Sequence, residues 1–159
     1  MATIFQPVIL FLCTGNYYRS RFAELLFNRL AVERDIDWRA ASRGLAIELG
    51  YLNVGPISSH TVDRLTALNI AFDEAHRMPL ACTQTDFTSA TRVIALNELE
   101  HRALMSARFP DWLERIEYWN VHDLDMATAE EALAKIEKLV RALVNSLAKV
   151  PNEKPGLES

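Results

Sequence analysis

Residues 8–21 read VILFLCTGNYYRSR. The change of character at Cys13 decides how the rest of the chain is read. Five apolar residues without a charge precede the cysteine, which predicts a buried strand over residues 7–12. Helical spacing takes over soon afterwards. Phe22, Leu25, Leu26 and Leu30 share one stripe, which predicts a helix over 19–34. A strand that turns into a helix within about six residues leaves Cys13 at the strand's carboxyl end. Open α/β sheets place their ligands there.

Outward from that unit, strand and helix signals alternate. Residues 38–42 (WRAAS) predict a second strand, closed by Gly44. Ser58 and Ser59 are N-cap residues for a helix over 60–68. Residues 91–96 (TRVIAL) predict a third strand, 98–107 a helix stopped by Pro110, and 115–119 (RIEYW) a fourth strand. A long amphipathic helix closes the series over 128–147. Thr128 and Glu131 form its capping box, and Leu133, Ile136, Val140, Leu143 and Leu147 form its stripe. This alternation requires right-handed crossovers and a parallel sheet. The chain reads as one α/β domain over 1–150 with a flexible tail at 151–159.

Composition narrows the function. The chain has 159 residues, 24% of them charged and 50% apolar, with a formal charge of -4. That acidity argues against a general nucleic-acid partner. Residues 1–80 carry eight basic and eight acidic residues, against nine and thirteen in the remainder, and Arg19, Arg21, Arg29 and Arg34 cluster after Cys13. No apolar run approaches a membrane span, and no basic region precedes residues 7–12, so neither a membrane partner nor a signal peptide is expected. Two cysteines give neither a disulfide framework nor a zinc set. A reducing cytoplasm follows, with the protein a monomer or weak dimer. Cys82 reads as a small packing residue.

The segment between Cys13 and Arg19 has the makings of an anion cradle. If residues 14–19 wrap round the sulfur and feed the helix, their backbone N–H groups turn inward beside the free donors of the first turn. Thr14, Gly15, Asn16, Tyr17 and Tyr18 would contribute amides, and Gly15 adapts to unusual backbone angles. The Arg19 guanidinium matches two phosphate oxygens. The same donors stabilise a thiolate at the centre, and Ser20 can add a hydroxyl. Such a loop both binds phosphate and prepares the atom that attacks it.

CTGNYYRSR resembles the phosphate loop of the low-molecular-weight protein tyrosine phosphatases, a fold shared with thiol-coupled arsenate reductases. The family form is Cys-x-Gly-Asn-x-Cys-Arg-Ser-Pro. Cys13, Gly15, Asn16, Arg19 and Ser20 match; Tyr18 replaces the second cysteine and Arg21 the proline. The resemblance runs on to about residue 147. Ser42 and Gly44 stand where the family has Ser-Ala-Gly, and SSHTVDRL resembles its Ser-x-His-x-x-x-x-Leu helix start. RVIALNELEHRAL resembles its third strand and helix, with Asn97-Glu98 for Met-Asp. YWNVHDLD resembles its Trp-x-x-x-Asp-Pro segment, with Asp123 on the aspartate and Leu124 for the proline. The resemblance implies a three-layer fold: a four-stranded parallel sheet, order 2-1-3-4, with helices on both faces.

It also implies roles. Cys13 takes the phosphoryl group, Arg19 and the loop amides hold its oxygens, and Ser20 supports the sulfur. Asp123 protonates the departing phenol, and Asp125 is its rival. Asn16, Ser42 and His60 form a supporting hydrogen-bond group behind the loop. Tyr17 takes a substrate-facing slot. No metal and no cofactor are needed, and the partner is a phosphorylated protein or a small aryl phosphate. Two alternatives stand beside phosphotyrosine hydrolysis. One is a catalytically weak or inactive phosphate-binding regulator. The other is arsenate reduction, which needs relay cysteines that Tyr18 and the ALNELEH segment do not supply.

Overall fold

A computed structural model of the chain describes residues 5–72 and 77–149. The tail expected at 151–159 lies outside the described residues. Strand β1 (Val8–Cys13) lies in the middle of a four-stranded, all-parallel sheet of order β2-β1-β3-β4. The other strands are β2 (Arg39–Gly44), β3 (Arg92–Ala95) and β4 (Glu117–Tyr118). Both the fold class and the strand order agree with the sequence reading.

The unbroken apolar run of β1 has a plain cause. Side chains alternate across a strand, so a central strand covered on both faces must be apolar at every position. Ile9 and Phe11 point to one face, packing with Phe22 and Leu26 of α1 (Arg19–Glu33), Leu65 of α2 (Ser59–Ala67), and Ile136 and Val140 of α5 (Ala129–Lys149). Leu10 and Leu12 point to the other face. There they pack with Phe87 of α3 (Gln84–Ser89) and Met105 of α4 (Glu98–Arg108). Helices therefore cover both faces. Helix α5 begins at the expected capping box: Glu131 N–H donates to Thr128 Oγ1 at 3.1 Å, and the Thr128 N–H donates back to Glu131 Oε1 at 3.0 Å.

Two elements depart from the expectation. Helix α3 was not anticipated, because six residues are too few to display a helical period; its start is marked by Asp86 Oδ2 accepting the Thr83 N–H at 2.8 Å. Strand β4 spans two residues rather than five. It is an edge strand whose one neighbour, β3, has only four residues. Past its end the chain still hydrogen-bonds alongside β3, with Trp119 N–H to Ala95 O at 2.8 Å and Val121 N–H to Leu96 O at 2.7 Å. That continuation brings residues 119–123 to the carboxyl edge of the sheet, opposite Cys13.

Candidate active site

Helix α1 starts directly from the loop. Tyr18 is its N-cap and supplies no side-chain cap, so the free N–H groups of the first turn face the loop's hollow. The loop is fixed from outside through its carbonyls: Leu45 N–H reaches Cys13 O, Ala46 N–H reaches Thr14 O and Ser58 N–H reaches Tyr17 O, each at 2.9 Å. Asn16 takes φ of 51°, a left-handed conformation that Asn tolerates better than most residues.

A hydrogen-bonded chain runs back from the sulfur. Cys13 Sγ lies 2.9 Å from Ser20 Oγ. Asn16 Nδ2 donates to Ser20 Oγ and to Ser42 Oγ, both at 2.9 Å. With Asn16 holding its oxygen, the Ser20 hydroxyl can give its proton to a thiolate at Cys13. Ser42 Oγ donates in turn to Glu24 Oε1 at 2.5 Å.

On its other side, Asn16 Oδ1 accepts from Arg77 Nη1 at 2.9 Å and from Leu80 N–H at 3.0 Å. Arg77 also reaches Glu24 at 3.2 Å and Ser42 Oγ at 3.0 Å. Arg21, at the family's proline position, is 1% exposed and donates to Pro56 O at 3.0 Å and Arg77 O at 3.1 Å. Burial, then the nearby Arg77 cation, pull its pKa down to about 10, so it remains charged at neutral pH.

His60 does not join this network. It is exposed on α2, with its ring edge-on to Tyr18 at 6.3 Å between centroids. The first turn of α2 carries it outward, and Arg77 and Glu24 fill the supporting place expected of it. Asn16 and Ser42 do lie in the network.

The opposite wall is acidic. Arg19, 2% exposed, donates from Nη1 to Glu100 Oε1 at 3.1 Å and to Val121 O at 2.9 Å. From Nη2 it donates to Glu100 Oε2 at 2.8 Å, and Asp123 Oδ2 stands 3.4 Å away. Burial works against the Arg19 cation, but the Glu100 hydrogen bond and the charges of Cys13, Glu100 and Asp123 leave its pKa above the ordinary value. The Thr14 hydroxyl also donates to Glu100. His101 Nδ1 accepts the Asn97 N–H at 3.0 Å, which puts its proton on Nε2, 3.2 Å from both Glu100 Oε2 and Thr14 Oγ1. Burial pushes His101 down despite Glu100, so the ring stays neutral. Burial alone would raise the Glu100 carboxyl, but the hydrogen bonds from His101 and Arg19 outweigh it and hold the group well below the usual carboxylate range.

Cys13, Gly15, Tyr17, Tyr18, Arg19 and Asp123 line one cavity of about 100 Å³. Leu124 also lines it, half exposed beside Asp123. Asp123 Oδ1 accepts the Leu124 N–H at 2.8 Å, a hydrogen bond that a proline at position 124 could not donate. Asp125 lies outside this cavity and lines a neighbouring one with Glu100 and His122. The Tyr17 hydroxyl donates to Val54 O at 2.5 Å. Among the described residues, the shielded Tyr18 hydroxyl has no hydrogen-bond partner, a state that costs about 1–3 kcal/mol.

Sequence reasoning missed Glu100, His101, Glu24 and Arg77. One signal was available. Two arginines close behind a buried cysteine call for counter-charges, and the acidic excess of the second half was where to look.

The sequence model of the family described as low molecular weight phosphotyrosine protein phosphatase matches residues 8–153. No curated protein matches the chain by sequence. The fold is similar to that of a low molecular weight protein tyrosine phosphatase from T. tengcongensis, with TM-score 0.71 and 23% identity over 89% of this chain and 99% of that one. YfkJ from Bacillus subtilis gives TM-score 0.74 and 22% identity, over 93% and 98%. Wzb from Vibrio vulnificus, solved in complex with benzylphosphonate, gives 0.72 and 16%, over 89% and 99%.

Proposed function

The chain belongs to the low molecular weight phosphotyrosine protein phosphatase family, and from that premise we propose that it hydrolyses phosphotyrosine and related aryl phosphates through a cysteinyl-phosphate intermediate. Membership makes it a phosphatase; the mechanism is the further step. The Cys13 thiolate attacks phosphorus, an S–P bond forms and the P–O bond to the phenol breaks. Asp123 gives its proton to the departing oxygen. A water then attacks phosphorus, Asp123 takes that water's proton, and inorganic phosphate leaves with the thiolate restored. Arg19 and the loop amides stabilise the charge on the equatorial oxygens.

The observation that carries this reading is the chain from the sulfur: Cys13 Sγ at 2.9 Å from a Ser20 hydroxyl that Asn16 orients, in one cavity with Arg19 and Asp123. A packing cysteine has no need of that arrangement. Reduction of arsenate by a thiol relay finds less support. Cys82 packs in the cluster on the opposite face of the sheet from Cys13, and burial, then Asp86, push its thiol up to about 12. A non-catalytic phosphate binder has one observation in its favour, the hold of Glu100 on both terminal nitrogens of Arg19.

The test is hydrolysis of p-nitrophenyl phosphate in the presence of EDTA, beside arsenate with a thiol reductant. Wild type turns the ester over, benzylphosphonate competes with it, and Cys13→Ser is inactive. Asp123→Asn loses roughly 10²- to 10⁴-fold on phenyl phosphate and much less on esters of acidic phenols. Full activity in Cys13→Ser would remove the nucleophile assignment.

A further inference from the structure

Arg19 carries five N–H hydrogens, and three of them are already taken. Nη1 gives one to Glu100 Oε1 at 3.1 Å and one to Val121 O at 2.9 Å, and Nη2 gives one to Glu100 Oε2 at 2.8 Å. Glu100 therefore grips the guanidinium end-on, across its two terminal nitrogens. The hydrogens left over are the one on Nε and the second on Nη2, which lie together along the side edge of the planar fork. Asp123 Oδ2 stands 3.4 Å from Nη2, an ion pair rather than a hydrogen bond. Among the described residues Arg19 Nε has no partner, yet unlike Arg64 Nε it is not closed to water. Arg19 lines the cavity that holds Cys13 and Asp123.

Glu100 is itself held in place. The Thr14 hydroxyl donates to it, and His101 Nε2 stands 3.2 Å from both Glu100 Oε2 and Thr14 Oγ1. Burial opposes its ionisation, but the hydrogen bonds from His101 and Arg19 prevail, so Glu100 is a carboxylate throughout the neutral range. Thr14 opens the loop and Arg19 closes it. One carboxylate of α4 thus joins the two ends of the loop. With the end of the fork committed to Glu100, the side edge is the part of Arg19 left to meet an anion in the cavity.

We propose that Glu100 is a positioning residue: by taking the end of the Arg19 fork, it aims the Nε and Nη2 hydrogens at two equatorial oxygens of the phosphoryl group. The assignment rests on the reading above, with the phosphoryl group bound over Cys13. Glu100 forms no bond to the substrate and exchanges no proton with it. Its effect is greatest in the transition state, where the equatorial oxygens spread into one plane and must be met by donors already in place. A carboxylate that merely competed with substrate for Arg19 would act the other way, and its removal would tighten anion binding.

Glu100→Gln keeps the shape and one acceptor oxygen and loses the charge and the second acceptor. The measurements are kcat and KM on p-nitrophenyl phosphate and phenyl phosphate, and the inhibition constants of inorganic phosphate and of orthovanadate, which takes up the five-coordinate geometry of the transition state. All are made well below the thermal midpoint of the variant. The expected result is a fall in kcat/KM of about 10- to 100-fold, mostly in kcat and equal on both esters, since Asp123 is untouched. Vanadate weakens by a similar factor and phosphate by less than about fivefold. A loss under about threefold, tighter binding of phosphate, or equal weakening of phosphate and vanadate overturns the assignment, while an inactive Cys13→Ser leaves the nucleophile standing. Full activity in Cys13→Ser overturns the reading beneath it as well. If Glu100→Gln does not fold, the wild-type protein decides. Vanadate should shift the Arg19 Nε–H resonance in proton–nitrogen correlation spectra, identified by its absence from Arg19→Lys, and a resonance that does not move overturns the assignment.

Discussion

At Arg19 two carboxylates converge on one guanidinium. Glu100 binds both terminal nitrogens, Val121 O takes a further hydrogen, and Asp123 approaches to 3.4 Å. The planar fork meets all three because its donors diverge in fixed directions, which a lysine ammonium cannot imitate. Arg19→Lys keeps the charge and loses the geometry. We expect kcat/KM on p-nitrophenyl phosphate to fall by roughly 10²- to 10³-fold with the circular dichroism spectrum unchanged. A loss under about fivefold would mean that charge alone suffices. The loop around Arg19 was legible in the sequence because its members are near neighbours: Cys13, Asn16, Arg19 and Ser20 fall within eight residues, and local backbone geometry gathers them. The place of His60 was not legible. A histidine in the first turn of a helix faces the loop or the solvent according to the roll of that helix, which is settled by packing through Leu65 and Thr61.

Between elements, the close approach of β2 to the loop is the tightest constraint. Cys13 pairs in register with Gly44. A Cβ added at Gly44 would lie 2.5 Å from Ile47 Cγ2, 2.9 Å from the Thr14 carbonyl oxygen and 3.1 Å from Asn16 Cβ. The Ile47 tip can move aside. The Thr14 carbonyl and Asn16 belong to the loop itself. Gly44→Ala should therefore cost about 1–3 kcal/mol in urea unfolding and lower activity at temperatures where the protein remains folded. Ile136→Ala is the contrast. It opens a cavity between α5 and the sheet, about 2–5 kcal/mol of lost stability, with kcat/KM nearly unchanged. If both variants retain wild-type kcat/KM, the approach of β2 does not shape the loop. The period of α5 and its capping box were readable because both repeat within a few residues. Helix α3 was not, since six residues offer no period to read.

Across the whole molecule, Glu100 ties α4 to the loop that opens α1, 81 residues earlier. Its folded pKa lies below the ordinary value of 4.5. The sign follows: a carboxyl depressed by folding stabilises the fold fully above that ordinary value, and the contribution is lost as the pH falls below it. The gap in thermal midpoint between wild type and Glu100→Gln should be constant from about pH 7 to about pH 5 and shrink below about pH 4.5. A gap that is flat down to pH 3 would show that the pairing adds nothing to the fold.

What the chain settles by itself is its order of strands and helices and the station of Cys13 at the end of β1. Apolar period, caps and breakers act over a few residues, so they are written locally. Tertiary structure alone chose the partners of the buried polar groups: Glu100 for Arg19, and Arg77 for Asn16 across 61 residues. Charge pairing has no period along a sequence. It is fixed only when packed layers bring two groups within about 3 Å and exclude the water that would otherwise solvate them.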